Sequence, residues 1–538
     1  MQLRRYDLCG PLLALLFALA TTSIVHAQNY DVIIRGGRVI DGTGNPWFRA
    51  DLAIDGDRIA AIGDLSAATA QREIDASGLY VTPGFIDPHS HAGPGLATPG
   101  LSHGEPLLMQ GLTTVVINPD GGGPVDLARQ RSDLLRDGLA VNTAQLVPHG
   151  SIRREILGEE DRAPTPAEME QMRGLVRRGM EEGGYGLSSG TFYVPGAFSD
   201  PDEIVELARV VAPFGGAYTS HIRDESDYTV GLVASVEEVI DVARRAGIPG
   251  VVTHVKALGP RVWGFGSVVV QRIEAAREEG IEVYTDQYPY AASSTGLSSA
   301  LLPRWSQAGG TDSLLARLDR PGTMADIRSA MVENLSRRGG ADRIQFRRVL
   351  FDESIEGRLL SDLAAERSED PIDTAVDLLR QGSVSIISHN MHDDDVKTLM
   401  VPSWNMTSSD GALVPWMEGV PHPRSYGTFP RKIHKYVVEE GVVNLPTAIR
   451  SMTGLPAQVF RIADRGVLRV GAYADVAVFD LAALNDPASF TQPHQLAEGM
   501  VAVFVNGEAA LSSGAVTGTL AGRVVHKNGL DVAPPSGR

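Results

Sequence analysis

The sequence has 538 residues, and 66 acidic against 48 basic side chains give it a formal net charge of −18. Such an acidic balance argues against nucleic acid and anionic membranes as partners, and the length suffices for one large domain plus a smaller one. The only cysteine is Cys9, so the rest of the chain has neither disulfides nor thiolate metal ligands.

Residues 1–27 are predicted to be a secretory signal peptide. A basic start at Arg4 and Arg5 precedes an apolar run over 11–20, and a small-residue exit predicts cleavage after Ala27. The run is shorter than the ~20 residues of a spanning helix, which disfavours a retained membrane anchor. We therefore expect a periplasmic or secreted protein.

Residues 28–81 are predicted to form short alternating strands joined by tight turns, and the same texture returns over 454–538. Turns such as Asp55-Gly56 between apolar runs are typical of β-hairpins. Because strand-rich segments at both ends flank a different interior, we expect one small β-sandwich domain built from both chain ends.

The interior, residues 82–453, alternates strands with amphipathic helices about every thirty residues, which indicates βαβ units and a parallel sheet. One helix begins after the cap Asp200, with Pro201 in its first turn. The pattern that follows this helix predicts strands over 216–221, 249–254 and 281–286 and helices near 230–246 and 267–279. The α/β class with a (β/α)8 TIM barrel fits this length best. A doubly wound sheet is the alternative, but no glycine-rich phosphate fingerprint follows an early strand.

The motif His89-Ser90-His91 follows the apolar run 79–86, which is predicted to be one buried strand. Residues two apart on a strand point the same way, so the two imidazoles are expected to project together from its end. Two converging imidazoles are half of a site for zinc or a related metal, although two polar loop residues would explain the pair alone.

Further potential ligands occupy predicted strand ends, namely Asp120, His221, His254 and Asp410. In a parallel barrel such ends lie on one rim, where active sites are built. Four histidines and two carboxylates at these positions are difficult to explain as packing, so a metal site is predicted. His103, His149 and His389 are not expected to be ligands, although His149 is a candidate for the pocket wall.

The block Pro83-Gly84-Phe85-Ile86-Asp87-x-His89-x-His91, with the later histidines and aspartate in order, resembles the metal-dependent amidohydrolase superfamily. Its N-acyl-D-amino-acid deacylase (D-aminoacylase) branch is matched more closely by segments 186–193, 220–225, 254–256, 286–295, 409–411, 422–431 and 474–480. The resemblance covers nearly all of the chain after residue 27. It implies a hydrolase that cleaves the amide bond of N-acyl-D-amino acids to a carboxylate and a free D-amino acid.

The resemblance implies a tight zinc site and a weaker one, with His221 and His254 in the first and His89, His91 and Asp410 in the second. The branch shares a cysteine on the second barrel strand between them, whereas this chain has Asp120 there. A carboxylate can bridge two metals as a thiolate does. Because a hard oxygen replaces a soft sulfur, one or two zinc ions are expected first, and manganese or cobalt second.

The resemblance also assigns Asp410 as general base and then acid, and Tyr193 as a hydrogen-bond donor to the developing oxyanion. Tyr193 packing in the pocket wall is the alternative. The residues implied for the substrate carboxylate are Lys256, Tyr288, Ser294 and Arg424. Arg223 either joins them or forms a structural ion pair with Asp224 or Glu225.

Two alternatives stay open at this point. A hydrolase of dipeptides (D-residue or isopeptide type) or of cyclic amides shares the metal core, but Lys256 with Arg424 favours a terminal carboxylate. A secreted protein with a structural metal is disfavoured by the spare aspartate and the open rim.

Residues 296–348 are predicted to form a lid. The expected partner is a small N-acyl amino acid or short peptide, and the sequence leaves D or L preference, acyl length and a homo-oligomer open.

Overall fold

The computed structural model describes residues 29–527, 529 and 531–534, so the predicted signal peptide lies outside the described residues. The fold mixes strands and helices. The strands are β1 (Asn29–Val39), β2 (Phe48–Asp55), β3 (Arg58–Gly63), β4 (Thr69–Asp75), β5 (Tyr80–Pro83), β6 (Phe85–Asp87), β7 (Leu112–Ile117), β8 (Asn142–Gln145), β9 (Val147–Pro148), β10 (Gly186–Gly190), β11 (Ala217–His221), β12 (Gly250–Val252), β13 (Val283–Gln287), β14 (Ser293–Gly296), β15 (Ile344–Arg348), β16 (Ser385–Ser388), β17 (Asn405–Thr407), β18 (Val476–Phe479), β19 (Met500–Val505), β20 (Glu508–Ser512) and β21 (Ala515–Val516).

The helices are α1 (Gly93–Leu96), α2 (Glu105–Leu108), α3 (Leu127–Leu135), α4 (His149–Leu157), α5 (Pro166–Glu181), α6 (Pro201–Val211), α7 (Leu232–Ala246), α8 (Gly266–Glu278), α9 (Leu297–Leu301), α10 (Gly310–Leu318), α11 (Pro321–Arg337), α12 (Leu360–Arg367), α13 (Pro371–Gln381), α14 (Asp393–Met400), α15 (Arg424–Arg431), α16 (Leu445–Met452) and α17 (Gly454–Phe460). A π-helical segment, Lys432–Glu439, continues α15. Among the described residues, no helix has the length and apolar character needed to cross a membrane.

Both ends of the chain contribute to one nine-stranded sheet, in the order β21-β20-β19-β18-β5-β1-β2-β3 with β4 beside β1. The junction is the antiparallel pair β5–β18, in which Val81 lies opposite Val478. Buried apolar side chains from both ends, including Ile34, Val81 and Val478, pack in one cluster. The N-terminal and C-terminal segments therefore share one hydrophobic core.

Parallel strands with helical crossovers form the interior. One sheet has the order β6-β7-β8, and a second runs β9-β10-β11-β12-β13-β17. Only Leu146 separates β8 from β9. Every residue of β7 and of β9 to β13 is buried, as expected for parallel strands covered by helices.

Helix α6 illustrates how the sequence sets these crossovers. The Asp200 carboxylate accepts a hydrogen bond from the amide of Glu203 at 2.8 Å, which confirms the predicted cap, and Pro201 occupies the first turn. Its stripe of Ile204, Leu207 and Val211 is fully buried in the interior core. The predicted elements between residues 216 and 287 are found, but β12 ends at Val252 rather than at His254.

The apolar run 79–86 is not one strand, which corrects the sequence prediction. Its first part is β5 in the nine-stranded sheet, and its second part is β6 beside β7. Gly84 stands between the two strands, packed closely against Thr113. Glycine is required there because a Cβ atom would lie 2.2 Å from Cγ2 of Thr113. The glycine lets the chain pass tightly from one sheet to the other.

This crossing predicts a stability effect. We expect Gly84→Ala to lower the free energy of unfolding by about 1–3 kcal/mol, because the new methyl group overpacks a buried site. The matched control is Gly174→Ala, an exposed position inside α5 with no atom within 4 Å of the added Cβ, where a gain of up to about 1 kcal/mol is expected. Guanidinium denaturation measures both, and equal stabilities for the two variants would contradict the steric argument.

A separate subdomain, which we call the insert, interrupts the parallel strands over residues 293–388. Its antiparallel sheet has the order β14-β16-β15, and helices α9 to α13 connect its strands. Buried side chains such as Leu301, Phe346 and Ile386 give it a core of its own. The insert therefore extends about 40 residues beyond the lid predicted over 296–348, because the alternation of its last helices with β16 imitates the surrounding βαβ rhythm.

Candidate metal centre

The loops after β6 and β17 are hydrogen-bonded to each other and carry three potential metal ligands. The amide of His91 donates to the carbonyl of Gly411 at 2.9 Å, and the amide of Asp410 donates to that of His89 at 3.0 Å. The buried carboxylate of Asp87 accepts from the amides of both His89 and Ser409, at 3.2 and 3.0 Å. These contacts hold the loop after β6 against the loop after β17.

Asp120, on the loop after β7, lies at the centre of the cluster. Its Oδ1 is 3.4 Å from Nε2 of His89, 3.4 Å from Nε2 of His254 and 3.9 Å from Nδ1 of His221. Its Oδ2 is 3.3 Å from Nε2 of His91. One carboxylate therefore contacts histidines that follow three different strands.

The six predicted ligands form two overlapping groups. One contains His89, His91, Asp120 and Asp410, and the other contains Asp120, His221 and His254, with ligand atoms within 4.8 Å of one another in each. The resemblance predicts the same division, with Asp120 shared.

Several of these atoms are buried without a hydrogen-bond partner among the described residues, namely Nε2 of His89, Oδ1 of Asp120 and both ring nitrogens of His221. Orphaned buried donors and acceptors are costly and rare in folded proteins. Imidazole nitrogens together with carboxylate oxygens are the donor set for zinc and related metals. The residues present therefore fit a metal ion.

Three of the predicted ligands have left-handed backbone conformations, with φ of +56° at Asp120, +36° at His254 and +48° at Asp410. Side chains other than glycine rarely adopt such angles, and each instance costs about 1–3 kcal/mol. The surrounding hydrogen bonds hold the loops in this form. Ligand geometry is thus imposed by the fold before any ion arrives.

The electrostatics of the cluster suit a cation. Burial alone would raise the pKa of Asp120, but the imidazoles of His89 and His254 outweigh it and hold that pKa well below its usual range. Burial lowers the pKa of His221 to about 3, so this ring is neutral and free to coordinate. Against burial, the carboxylates of Asp120 and Asp410 raise the pKa of His91 to about 9. The two carboxylates thus keep the His91 imidazole protonated, and a metal ion bound to His91 would replace that proton.

Glu225 supports the two later histidines, a role that the sequence did not reveal. Its Oε1 lies 3.1 Å from Nδ1 of His254 and its Oε2 lies 3.8 Å from Nε2 of His221. It also forms a buried ion pair with Lys256, whose Nζ is 2.8 Å from Nδ1 of His254. Carboxylates in this position orient metal-binding imidazoles. The predicted pairing of Arg223 with Asp224 or Glu225 is wrong, since Arg223 pairs with Glu238 at 2.7 Å.

The cluster opens into a cavity of about 770 Å³, which is lined by the predicted oxyanion donor Tyr193 and by the four residues predicted to bind the substrate carboxylate: Lys256, Tyr288, Ser294 and Arg424. Nη1 of Arg424 is 2.7 Å from Oδ2 of Asp410. The hydroxyl groups of Tyr193 and Thr295 are 3.2 Å apart, and the tyrosine ring lies 4.5 Å from that of His221. His149 is not part of the wall, because its Nε2 is bound to Glu203 at 2.8 Å in the core.

Comparison with known proteins agrees with this geometry. The pattern of the Amidohydrolase family matches residues 72–510. The chain belongs to this family. It is 35% identical to the D-aminoacylase of Alcaligenes xylosoxydans xylosoxydans, over 93% of this chain and 98% of that protein. It is 34% identical to the N-acyl-D-glutamate deacylase of the same organism, over 89% and 93% of the two chains.

A solved structure gives the same relationship for this amidohydrolase. The N-acyl-D-glutamate deacylase of Bordetella bronchiseptica, in complex with zinc and a phosphonate mimic of the tetrahedral intermediate, superposes with a TM-score of 0.78. The identity is 33%, and the match covers 93% of this chain and all of that one. These comparisons therefore confirm the resemblance found in the sequence. They agree with it on the family, on similarity to D-aminoacylases and on zinc as a metal bound by a relative.

Proposed function

We propose that this amidohydrolase is a zinc-dependent deacylase that cleaves the amide bond of N-acyl-D-amino acids to a carboxylate and a free D-amino acid. The observation that carries the proposal is the buried cluster centred on Asp120, which opens into a cavity lined by cationic and hydroxyl side chains. The relatives named above act on N-acyl-D-amino acids.

The proposed mechanism assigns proton transfer to Asp410. Zinc held by the six ligands would supply polarisation of the amide carbonyl and acidification of a water. Burial would raise the pKa of Asp410, but the nearby Arg424 and His254 hold it well below its usual range, so the carboxylate is ionised. It accepts the proton of the attacking water and returns it to the leaving amine, whose departure completes hydrolysis.

Tyr193 is proposed to stabilise the oxyanion. Burial raises the pKa of its phenol above the usual range, so the hydroxyl keeps its proton and can donate it in a hydrogen bond. Its position beside His221 and at the cavity wall supports this role, because the carbonyl of an amide bound at the metal would lie next to the donor.

Tyr193→Phe tests this role. We expect kcat for N-acetyl-D-methionine to fall about 10²-fold with little change in KM, because the donor acts on charge that develops in the transition state. Tyr436→Phe is the matched control, because the Tyr436 hydroxyl donates a hydrogen bond to Asp393 and does not line the cavity. This variant should retain wild-type rates. A rise in KM with unchanged kcat in Tyr193→Phe would make the tyrosine a packing or binding residue instead.

The α-carboxylate of the substrate is proposed to bind between Arg424 and Lys256, with the hydroxyls of Tyr288 and Ser294 beside them. Arg424 offers the planar fork that suits a carboxylate. Its ring contact with Tyr288, at 4.7 Å from guanidinium carbon to ring centroid, holds the fork at the wall. A substrate α-carboxylate bound to Arg424 would thus lie close to Asp410, with the guanidinium between the two anions, and near the amide to be cleaved.

The finer architecture is also part of the proposal. We infer that β6, β7, β8 with β9, β10 to β13 and β17 make up the eight strands of a (β/α)8 barrel, supported by the hydrogen bonds between the loops of β6 and β17. The nine-stranded sheet would belong to a β-sandwich domain formed by 28–81 and 454–538 around a barrel domain of 82–453. A crystal structure in which the backbones of β6 and β17 lie too far apart to be neighbouring strands would contradict the barrel.

Export is a proposal that rests on the sequence of residues 1–27 alone. Cell fractionation with N-terminal sequencing tests it, since a cleaved periplasmic chain beginning after Ala27 is expected. Uncleaved protein in the cytoplasm would refute it.

The experiment for the function uses purified protein stripped by a chelator and reloaded with zinc, manganese or cobalt. We expect metal-dependent release of amine from N-acetyl-D-amino acids and none from the matched L series. Bound metal at stoichiometry without turnover of either series would refute deacylation and direct the search to D-residue dipeptides.

A further inference from the structure

One cationic side chain of the cavity wall, that of Arg347, forms no ion pair within the described part of the chain. Three of the other cations that line the cavity form an ion pair within the protein: Arg154 with Glu159, Lys256 with Glu225 and Arg424 with Asp410. Arg338 donates a hydrogen bond to the hydroxyl of Ser388. Arg347 also lines the cavity, yet its Nε is buried without a hydrogen-bond partner, and it forms no ion pair with any residue that the structure describes.

A β-bulge aims this arginine into the cavity. In the pair β15–β16, Phe346 lies opposite Ile386 and Arg348 lies opposite Ser385, so Arg347 is the extra residue between two registered neighbours. Bulges commonly redirect a side chain next to an active site. Phe346 is fully buried in the core of the insert, which fixes one side of the bulge.

The loop that follows Asp410 clamps the bulge from the other side. The amide of Val420 donates to the carbonyl of Arg347 at 2.9 Å. Arg348 pairs with Glu353 at 3.0 Å, Glu356 at 3.2 Å and also Glu418. Two adjacent arginines therefore differ: Arg348 forms ion pairs with three glutamates, whereas Arg347 lines the cavity without an ion pair to any described residue.

A guanidinium that lines a cavity without an ion pair is available to an anionic ligand, and a guanidinium–carboxylate pair is one of the strong charged hydrogen-bonded contacts. Burial lowers the pKa of Arg347 to about 10, with Arg424 acting in the same direction, so the group stays charged at neutral pH. Arg347 lines the same cavity as Asp410 and Arg424, and its backbone is hydrogen-bonded to the loop that follows Asp410. A substrate whose α-carboxylate binds Arg424 would therefore present its side chain on the side of the cavity that Arg347 lines.

We propose that Arg347 binds a second carboxylate, carried by the side chain of the substrate, so that the enzyme prefers N-acyl derivatives of acidic D-amino acids. This inference rests on the proposed function and names its substrate class. Arg424 and Lys256 take the α-carboxylate, and the planar fork of Arg347 takes the carboxylate of D-glutamate or D-aspartate.

The test compares kcat/KM for N-acetyl-D-glutamate with that for its neutral isostere N-acetyl-D-glutamine, using zinc-loaded protein. We expect the wild type to prefer the acid at least about tenfold, as one charged hydrogen-bonded pair provides. Arg347→Met should remove this preference through a higher KM for the acid, with the glutamine derivative changed less than about threefold. Arg347→Lys should keep part of it, and Arg348→Met, which removes the same charge beside the bulge, should keep all of it. Thermal unfolding checks that each variant is folded.

Each outcome separates the two proposals. An unchanged ratio of kcat/KM for the two substrates in Arg347→Met would overturn the inference alone. An equal loss of kcat/KM for both substrates would also overturn it, because Arg347 would then bind the α-carboxylate that both share. N-Succinyl-D-glutamine places the second carboxylate on the acyl group, and a loss confined to this substrate would also overturn it. Wild-type protein that hydrolyses no N-acyl-D-amino acid would refute the proposed function itself.

Discussion

We expect Asp410→Asn to lower kcat for N-acetyl-D-methionine by about 10³-fold or more. Asparagine has the same shape, but it can neither accept the proton of the attacking water nor return it to the amine, and general acid–base catalysis contributes about 10²–10⁴-fold. The substitution also removes the charge that faces Arg424 at 2.7 Å and His91 at 3.2 Å.

Steady-state rates with the metal content of the same preparation measure this effect. Asp133→Asn is the matched control, because Asp133 lines the same cavity but pairs with Arg136 away from the histidines. It should leave kcat unchanged. A kcat within tenfold of the wild type in Asp410→Asn, at equal zinc content, would exclude Asp410 as the base.

We expect Asp120→Ala to weaken zinc binding at least about 10²-fold and to abolish activity at ordinary zinc concentrations. Its two oxygens contact all four histidines of the cluster, so the alanine removes the donor that both ligand groups share. Competition with a chromophoric chelator measures the affinity.

Asp120→Cys is the informative companion. A thiolate is a good zinc ligand, and cysteine is the donor that the resemblance to the D-aminoacylase branch implies at this place. We expect this variant to retain zinc and to discriminate more strongly against manganese, because the softer donor disfavours a hard cation. An alanine variant with unchanged zinc affinity would remove Asp120 from the ligand set.

Local sequence predicted those parts of the fold that depend on local signals. The cap Asp200 and the apolar stripe of α6 are read directly from residue spacing, and strand ends point to the histidines and aspartates that the structure brings together around Asp120. Order along the chain suffices here, since parallel strands that all end at one rim gather distant residues without knowledge of their contacts.

The remaining features depend on contacts between distant segments. Gly84 divides an unbroken apolar run only because Thr113 occupies the space of a side chain. Glu225 and Arg223 stand two residues apart, and nothing local shows that the arginine pairs with Glu238 while the glutamate supports histidines. Likewise the dipeptide Arg347-Arg348 contains no sign of which guanidinium meets glutamates and which enters the cavity, because the bulge in β15 decides it.

The pairing of β5 with β18 has a consequence for how the polypeptide is made. Strand β5 is sandwiched between β1 and β18, and it continues through Gly84 into β6 and the first two histidines. A nascent chain therefore has an open, apolar edge beside β5 until nearly all of its residues have been synthesised, and such edges favour self-association. We expect a chain stopped at residue 473 to sediment as aggregates after refolding, whereas the full chain stays in solution. We therefore expect completion of the last strands to be the closing step of assembly, far along the sequence from the predicted metal ligands.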